Sequence, residues 1–207
     1  MNTETGEAAG AAGEVTRAGG EAAGSGGEAA GAGGEAARAG RVAEQFVTIA
    51  HRIVWCTVAT VDRRNRPRSR VMHPVWFLDD GGLHALASAR PTPLKLAHLA
   101  HSPYVSCSYW DPAHDVAVAE CRAEWVLDRR EAWERIASIA PPAGFDPAMI
   151  WPDGPDSPDC AFLRLEPWRV TVNTAARLAA GERPLTWRAR PGSPAPRRRA
   201  SSAMPTG

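Results

Sequence analysis

Lysine is almost missing from this chain: of 24 basic residues only Lys95 is a lysine, and the rest are arginines. Charge of one sign is missing too. Those 24 bases face 23 acids, a formal net charge of +1, so no broad field marks the protein for nucleic acid or an acidic surface. The four cysteines, Cys56, Cys107, Cys121 and Cys160, stand far apart with no Cys-x-x-Cys pair. That spacing removes zinc-ribbon and redox-dithiol readings and predicts reduced, buried thiols in a cytoplasmic protein. No run nears the ~18 apolar residues of a membrane span, and the acidic start has none of a secretory signal's basic-then-apolar order. Also absent are Gly-x-Gly-x-x-Gly, a Walker loop and the regular strand–helix alternation of a parallel sheet, which excludes a dinucleotide-binding fold.

The two ends are poor in large apolar groups. Residues 1–40 hold 12 of the 19 glycines and no aromatic residue, and Gly-Glu-Ala-Ala recurs from Gly6, Gly20, Gly27 and Gly34. Alanine alone supplies no knobs for a coiled coil, so the expectation is a disordered, acidic leader over residues 1–40. Residues 191–207 are rich in proline and arginine and are expected to form a disordered tail. Arg197, Arg198 and Arg199 lack interleaved aromatics, a weak nucleic-acid signal, so a solvated tail without a partner is the favoured reading.

Between them, residues 41–190 are long enough for one substantial core. Helical spacing over 42–51 gives way to a β-branched strand over 53–61, a turn at Asp62-Arg63-Arg64-Asn65, and a second strand over 68–78. Asp79-Asp80-Gly81-Gly82 marks a hairpin into a third strand over 83–88. Thr92 and Pro93 fit the N-cap and first position of a helix that His101-Ser102-Pro103 stops. Strands follow over 104–110 and 116–127. Asp128 and Glu131 then form a capping box for a helix over 129–140, with Trp133, Ile136, Ala137 and Ala140 on its inner face. An irregular excursion with a helical turn near Ala148, a strand over 160–172 and a short edge over 184–188 complete the body. Six or seven hairpin-linked strands with two or three short helices predict a mainly β protein, an antiparallel barrel with helices over its ends.

Chemistry concentrates at one helix start and one strand. A cation in a first helical turn opposes the helix dipole, yet Lys95 sits there, beside the Thr92 hydroxyl and Arg90. A bound phosphate reverses that sign, because dipole, N–H groups and cation all favour an anion. In the second strand Arg66, Arg68, Arg70 and Met72 share one face, and Arg70 is the deepest of the arginines. His98 and His101 lie three apart with no third ligand placed near them, so a structural or surface role outweighs a metal site. His114-Asp115 reads as a capping turn and Asp79-Asp80 as a hairpin tip. No Ser–His–Asp arrangement follows from the order of residues.

The segments 65–72, 83–88, 92–99 and 102–106, in this order and spacing, resemble the pyridoxamine 5′-phosphate oxidase-like, FMN-binding split-barrel family over about residues 46–188. The resemblance implies an antiparallel split β-barrel. It implies that Arg70, Val71 and Met72 line the isoalloxazine and ribityl chain, and that Ala87, Ser88, Thr92 and Lys95 surround the phosphate of FMN or of a deazaflavin cofactor. It further implies a homodimer with flavin at the interface, where Trp110 of the other subunit would approach the ring. Ala87 stands where relatives often carry threonine, and the C-terminal Trp187-Arg188-Ala189-Arg190-Pro191 is only faintly similar to the oxidase's substrate-binding ending. A reaction other than pyridoxamine phosphate oxidation is therefore expected.

The leading expectation is a flavin-dependent oxidoreductase acting on a small-molecule substrate, with the cofactor carrying the chemistry and no catalytic side chain assigned. A non-catalytic flavin-binding carrier or sensor is the alternative. A partner-binding module worked by the arginine-rich tail is a third.

Overall fold

The computed structural model describes residues 25–189, so the first 24 residues of the leader expected over 1–40, and the tail expected over 191–207, lie outside the described residues. Eight strands form one antiparallel sheet: β1 (Cys56–Val61), β2 (Pro67–Met72), β3 (Pro74–Asp79), β4 (Gly82–Ser88), β5 (Tyr104–Trp110), β6 (Val116–Trp125), β7 (Phe162–Asn173) and β8 (Leu185–Arg188). The order is β2-β1-β5-β6-β7-β4-β3, with β8 added to β7. The sheet does not close, since β2 and β3 are its two ends, yet only His73 separates them in the chain. This is an antiparallel split barrel, and its open seam lies where the chain passes from one sheet edge to the other.

That passage corrects the single strand expected over 68–78. Pro74 has no N–H for the ladder and restricts the residue before it, so β2 ends at Met72 and a separate strand starts at Pro74. The two halves then pair with different partners, β2 with β1 and β3 with β4. The turns behave as their residues dictate: Asn65 takes φ 58° and Gly82 φ 86°, the left-handed values those residues tolerate.

Helix α1 (Ser25–Ile53) begins fifteen residues earlier than the leader's expected end at residue 40. Alanine is the strongest helix former, and the start of this helix runs beside β8, where Gly34 and Ala39 face Thr186 and Trp187 across an open groove. Farther along, Val42, Ala43, Phe46, Ile49 and Ala50 are buried. Phe46 packs edge-on against Trp76 at 4.6 Å, and the Trp76 indole N–H donates to the Tyr109 hydroxyl at 2.7 Å. The inward residues of β6 are small (Ala117, Ala119, Cys121, Ala123), which leaves room for these large rings. Arg52, in the last turn, pairs with Asp111 and Asp115 and ties α1 to the β5–β6 hairpin.

Helix α2 (Pro93–His101) has Thr92 as its N-cap. In helix α3 (Arg129–Ala137) the Asp128 carboxylate accepts from the Glu131 N–H at 3.0 Å. Its buried face is Ala132 and Ile136; Trp133 is half-buried, and Ala137 and Ala140, expected inside, are exposed. Helix α4 (Ala175–Ala179) was not expected from the sequence. Thr174 caps it, and the Asp115 carboxylate accepts from the Ala175 N–H at 2.9 Å. No helix among the described residues is long and apolar enough to cross a membrane.

Candidate functional site at the barrel seam

The register of β2 decides which side chains enter the seam. Arg70 lies opposite Val58 and Met72 opposite Cys56, both buried on β1, so Arg70 and Met72 turn inward while Val71 lies 68% exposed on the other side. The Arg70 guanidinium donates from Nη2 to Thr60 Oγ1 at 2.9 Å. Thr60 Oγ1 is also 2.9 Å from His98 Nδ1, and Thr60 and His98 are each only 3% exposed. A guanidinium can only donate, so Thr60 Oγ1 accepts from Arg70 and still has a lone pair and a hydrogen with which to meet His98 Nδ1. His98 is thus neither a surface residue nor paired with His101, which is exposed and faces Asn65. Three-residue spacing on a helix could not reveal this, because the link runs through another strand.

The start of α2 supplies the second cation. Thr92 Oγ1 accepts from the Lys95 N–H at 3.4 Å, and Lys95 Nζ donates to the Arg90 carbonyl at 3.1 Å. Arg90 itself pairs with Asp159 at 2.7 Å. Among the described residues no carboxylate pairs with Arg70 or Lys95. Burial, and then the Arg70 and Arg90 charges, push the Lys95 ammonium below its ordinary value; burial, and then Arg68, do the same to Arg70. Two partly buried cations that repel each other are stabilised by an anion between them. Ser88 Oγ, at the end of β4, is buried and makes no hydrogen bond among the described residues. This donor set of guanidinium, ammonium and hydroxyl fits a phosphate group.

Arg70, Val71, Met72, Ser88 and Lys95 line one groove of about 500 Å³, so the seam brings five of the seven sequence-derived residues together. Ala87 and Thr92 do not line this groove. Ala87 is fully buried and lines a separate small cavity of about 10 Å³, which it shares with Arg70, Met72 and Lys95 and with Val58, Thr60 and Leu99. Thr92 is spent on capping α2. Trp110 is exposed at the end of β5, against His114, and does not line the groove. The groove's opposite wall, Trp55, His73 and Phe145 with Met149 and Ile150, was not expected. Trp55 and His73 were read as strand residues, and Phe145 as part of an excursion whose path the sequence leaves open. Among the described residues no cluster of three or more ligating side chains could hold a metal ion.

A family model for pyridoxamine 5′-phosphate oxidase matches residues 42–173, more than half of the chain and every element that builds the seam. The chain belongs to the pyridoxamine 5′-phosphate oxidase-like family. A similar solved structure is that of a protein related to general stress protein 26 of B. subtilis, from Clostridium acetobutylicum, of the pyridoxinephosphate oxidase family. It has a TM-score of 0.55 and 13% identity, covering 72% of this chain and 94% of that one. A heme binding protein from Mycobacterium smegmatis has a TM-score of 0.51 and 20% identity, covering 71% of this chain and 57% of that one. At such identities both bear on the fold alone. No curated protein matches the chain. Within this family, the seam groove of this member is formed by its own Arg70, Ser88 and Lys95.

Proposed function

We propose that the protein binds FMN in the seam groove and works as a flavin-dependent oxidoreductase on a small-molecule substrate. The observation that carries this reading is the convergence of Arg70 and Lys95, both without carboxylate partners among the described residues, with the unbonded Ser88 hydroxyl. In this reading Arg70, Lys95 and Ser88 hold the phosphate, while Val71 and Met72 lie along the ribityl chain and ring. Thr60, backed by His98, aims the guanidinium. Thr92 contributes by setting the start of α2, and Ala87 by leaving room beneath. When bound, the flavin supplies hydride or single-electron transfer. The chain's own part is to bind it, orient it and restrict water at the seam. A deazaflavin cofactor is accommodated by the same cationic end.

A homodimer goes with this reading. The outer face of the sheet carries Tyr104, Trp110 and Trp168, all large, apolar and exposed, as a surface that self-association would cover. Four free, buried cysteines suit a reducing, cytoplasmic compartment.

The test is the visible spectrum of the purified protein before and after adding FMN, followed by anaerobic reduction with a nicotinamide or deazaflavin donor and turnover of an acceptor. A flavin band and turnover are expected. A flavin band without turnover would favour the carrier or sensor. Uptake of hemin in place of flavin, seen as a Soret band, would overturn the reading.

A further inference from the structure

The groove's far wall is built with more care than a phosphate site requires. Trp55, 60% exposed, lies 5.4 Å from the His73 ring at an interplanar angle of 52°, and His73 lies 4.9 Å from Phe145 at 38°. Three separate devices hold this trio. The first is backbone strain. Val54 has φ 71°, and the Trp55 N–H reaches back to the Ile53 carbonyl at 2.8 Å, closing a three-residue γ-turn around a β-branched residue. A β-branched residue in this conformation is strained and persists only where its surroundings enforce it. A mostly exposed indole contributes little core burial to offset that strain.

The second device is close packing. A Cβ at Gly144 would stand 2.0 Å from the Ile139 carbonyl oxygen, so glycine alone lets the excursion seat Ala143 and Phe145 against the groove. The third is a fixed tautomer. His73 Nε2 is 2.8 Å from the Ala143 carbonyl, which can only accept, so Nε2 carries the hydrogen and Nδ1 keeps a lone pair. Among the described residues nothing bonds Nδ1. Burial above all, with a smaller push from His51 and against the Ala143 bond, holds the imidazole below its ordinary pKa, so it is neutral at pH 7.

Ring faces recognise ring faces, and a neutral imidazole lone pair recognises a donor and not an anion. Arg70 stands three residues before His73, roughly 10 Å of chain if each residue is an extended step. We propose that Trp55, His73 and Phe145 form a subsite for a neutral, planar aromatic molecule bearing a hydroxyl, its ring packed on Trp55 and its O–H donating to His73 Nδ1. This rests on the oxidoreductase reading in taking that molecule as the substrate, and it narrows the substrate class to hydroxyaromatic compounds of the phenol and naphthol kind.

The experiment is calorimetric titration of the full-length protein with 2-naphthol and with 2-methoxynaphthalene, which has the ring but no donor, each with and without saturating FMN. Naphthol is expected to bind roughly tenfold tighter than its methyl ether, the worth of about one hydrogen bond, and to bind alongside FMN. Trp55→Ala should weaken both probes, and His73→Phe should erase the difference between them. Equal affinity of the two probes for the unaltered protein would overturn the subsite, with no variant needed. So would displacement of FMN by naphthol, since the shelf would then be the flavin ring's own seat. Absence of any FMN binding would count against the oxidoreductase reading alone, because the FMN-free titrations are read separately.

Discussion

Replacing Thr60 by valine removes one hydroxyl and almost no volume, yet that hydroxyl lies between Arg70 and His98 at 2.9 Å from each. Hydrogen bonds to charged groups are worth about 1.5–3 kcal/mol when well formed, discounted toward 1 kcal/mol here because Arg70 is partly exposed and water can take the place of the lost acceptor. His98 loses its partner inside the protein, where an unpaired polar atom costs about 1–3 kcal/mol. The buried valine methyl returns about 1 kcal/mol. The net loss of about 1–3 kcal/mol should lower Tm by about 3–10 °C in a protein of this size. Function should suffer separately. Without its acceptor the guanidinium is no longer aimed into the groove, and FMN affinity should fall about tenfold, or 1.4 kcal/mol, with riboflavin affinity nearly unchanged. Circular dichroism melts and flavin titrations of Thr60→Val and Thr60→Ser read both effects. Serine keeps the hydroxyl and should restore most of the FMN affinity. A Thr60→Val protein that melts early but binds FMN as the parent does would refute the claim that Thr60 aims Arg70.

Lys95→Ala should weaken FMN by about 5–30-fold, or 1–2 kcal/mol after allowance for partial exposure, and riboflavin hardly at all; equal losses would remove Lys95 from the phosphate. Because burial and neighbouring cations depress the Lys95 pKa and a bound anion raises it again, FMN affinity should decline as the solution is made alkaline, and Lys95→Arg should flatten that decline in the same titration. Burial holds His51, His73 and His84 below 6.5, against carbonyl bonds that pull them up. Their contribution to stability is complete above pH 6.5 and is lost as pH falls toward the folded-state values, so Tm should drop between pH 7 and 5.5, and a flat profile would contradict the burial argument. Val54→Gly removes a β-branched side chain from a left-handed backbone at some entropic cost, and a melt should show a net gain of about 1 kcal/mol.

Local rules reached far into this fold. Thr92-Pro93, Asp128, Asn65 and Gly82 each announce a cap or turn through chemistry confined to a few residues, and the structure uses each, with Asp128 capping α3 through the Glu131 N–H alone and not through a reciprocal box. Residues 104–110 alternate so cleanly that the strand's limits match the sequence reading. What stayed hidden depends on distant segments. The alanine-rich stretch before residue 40 carries no apolar period that sets it apart, and its helix continues into the residues from Ala39 onward whose burial depends on distant strands. Pro74 signals a break, but not that the strands on its two sides leave for opposite edges of the sheet. The site divides along the same line. Arg70 and Lys95 were visible because a cation is out of place in an apolar strand or a first helical turn. His98, Trp55, His73 and Phe145 gain meaning only from partners 18 to 72 residues away in the chain, such as Thr60 for His98 and Phe145 for His73.

The central claim is that the seam recognises a phosphate joined to a flavin ring, and paired titrations of the unaltered protein with FMN and riboflavin test it most directly. Two discounted charge-assisted contacts predict a preference for FMN of about 2–3 kcal/mol, or roughly 30–150-fold. Equal affinity for the two ligands, or no uptake of either at micromolar concentration, would contradict it.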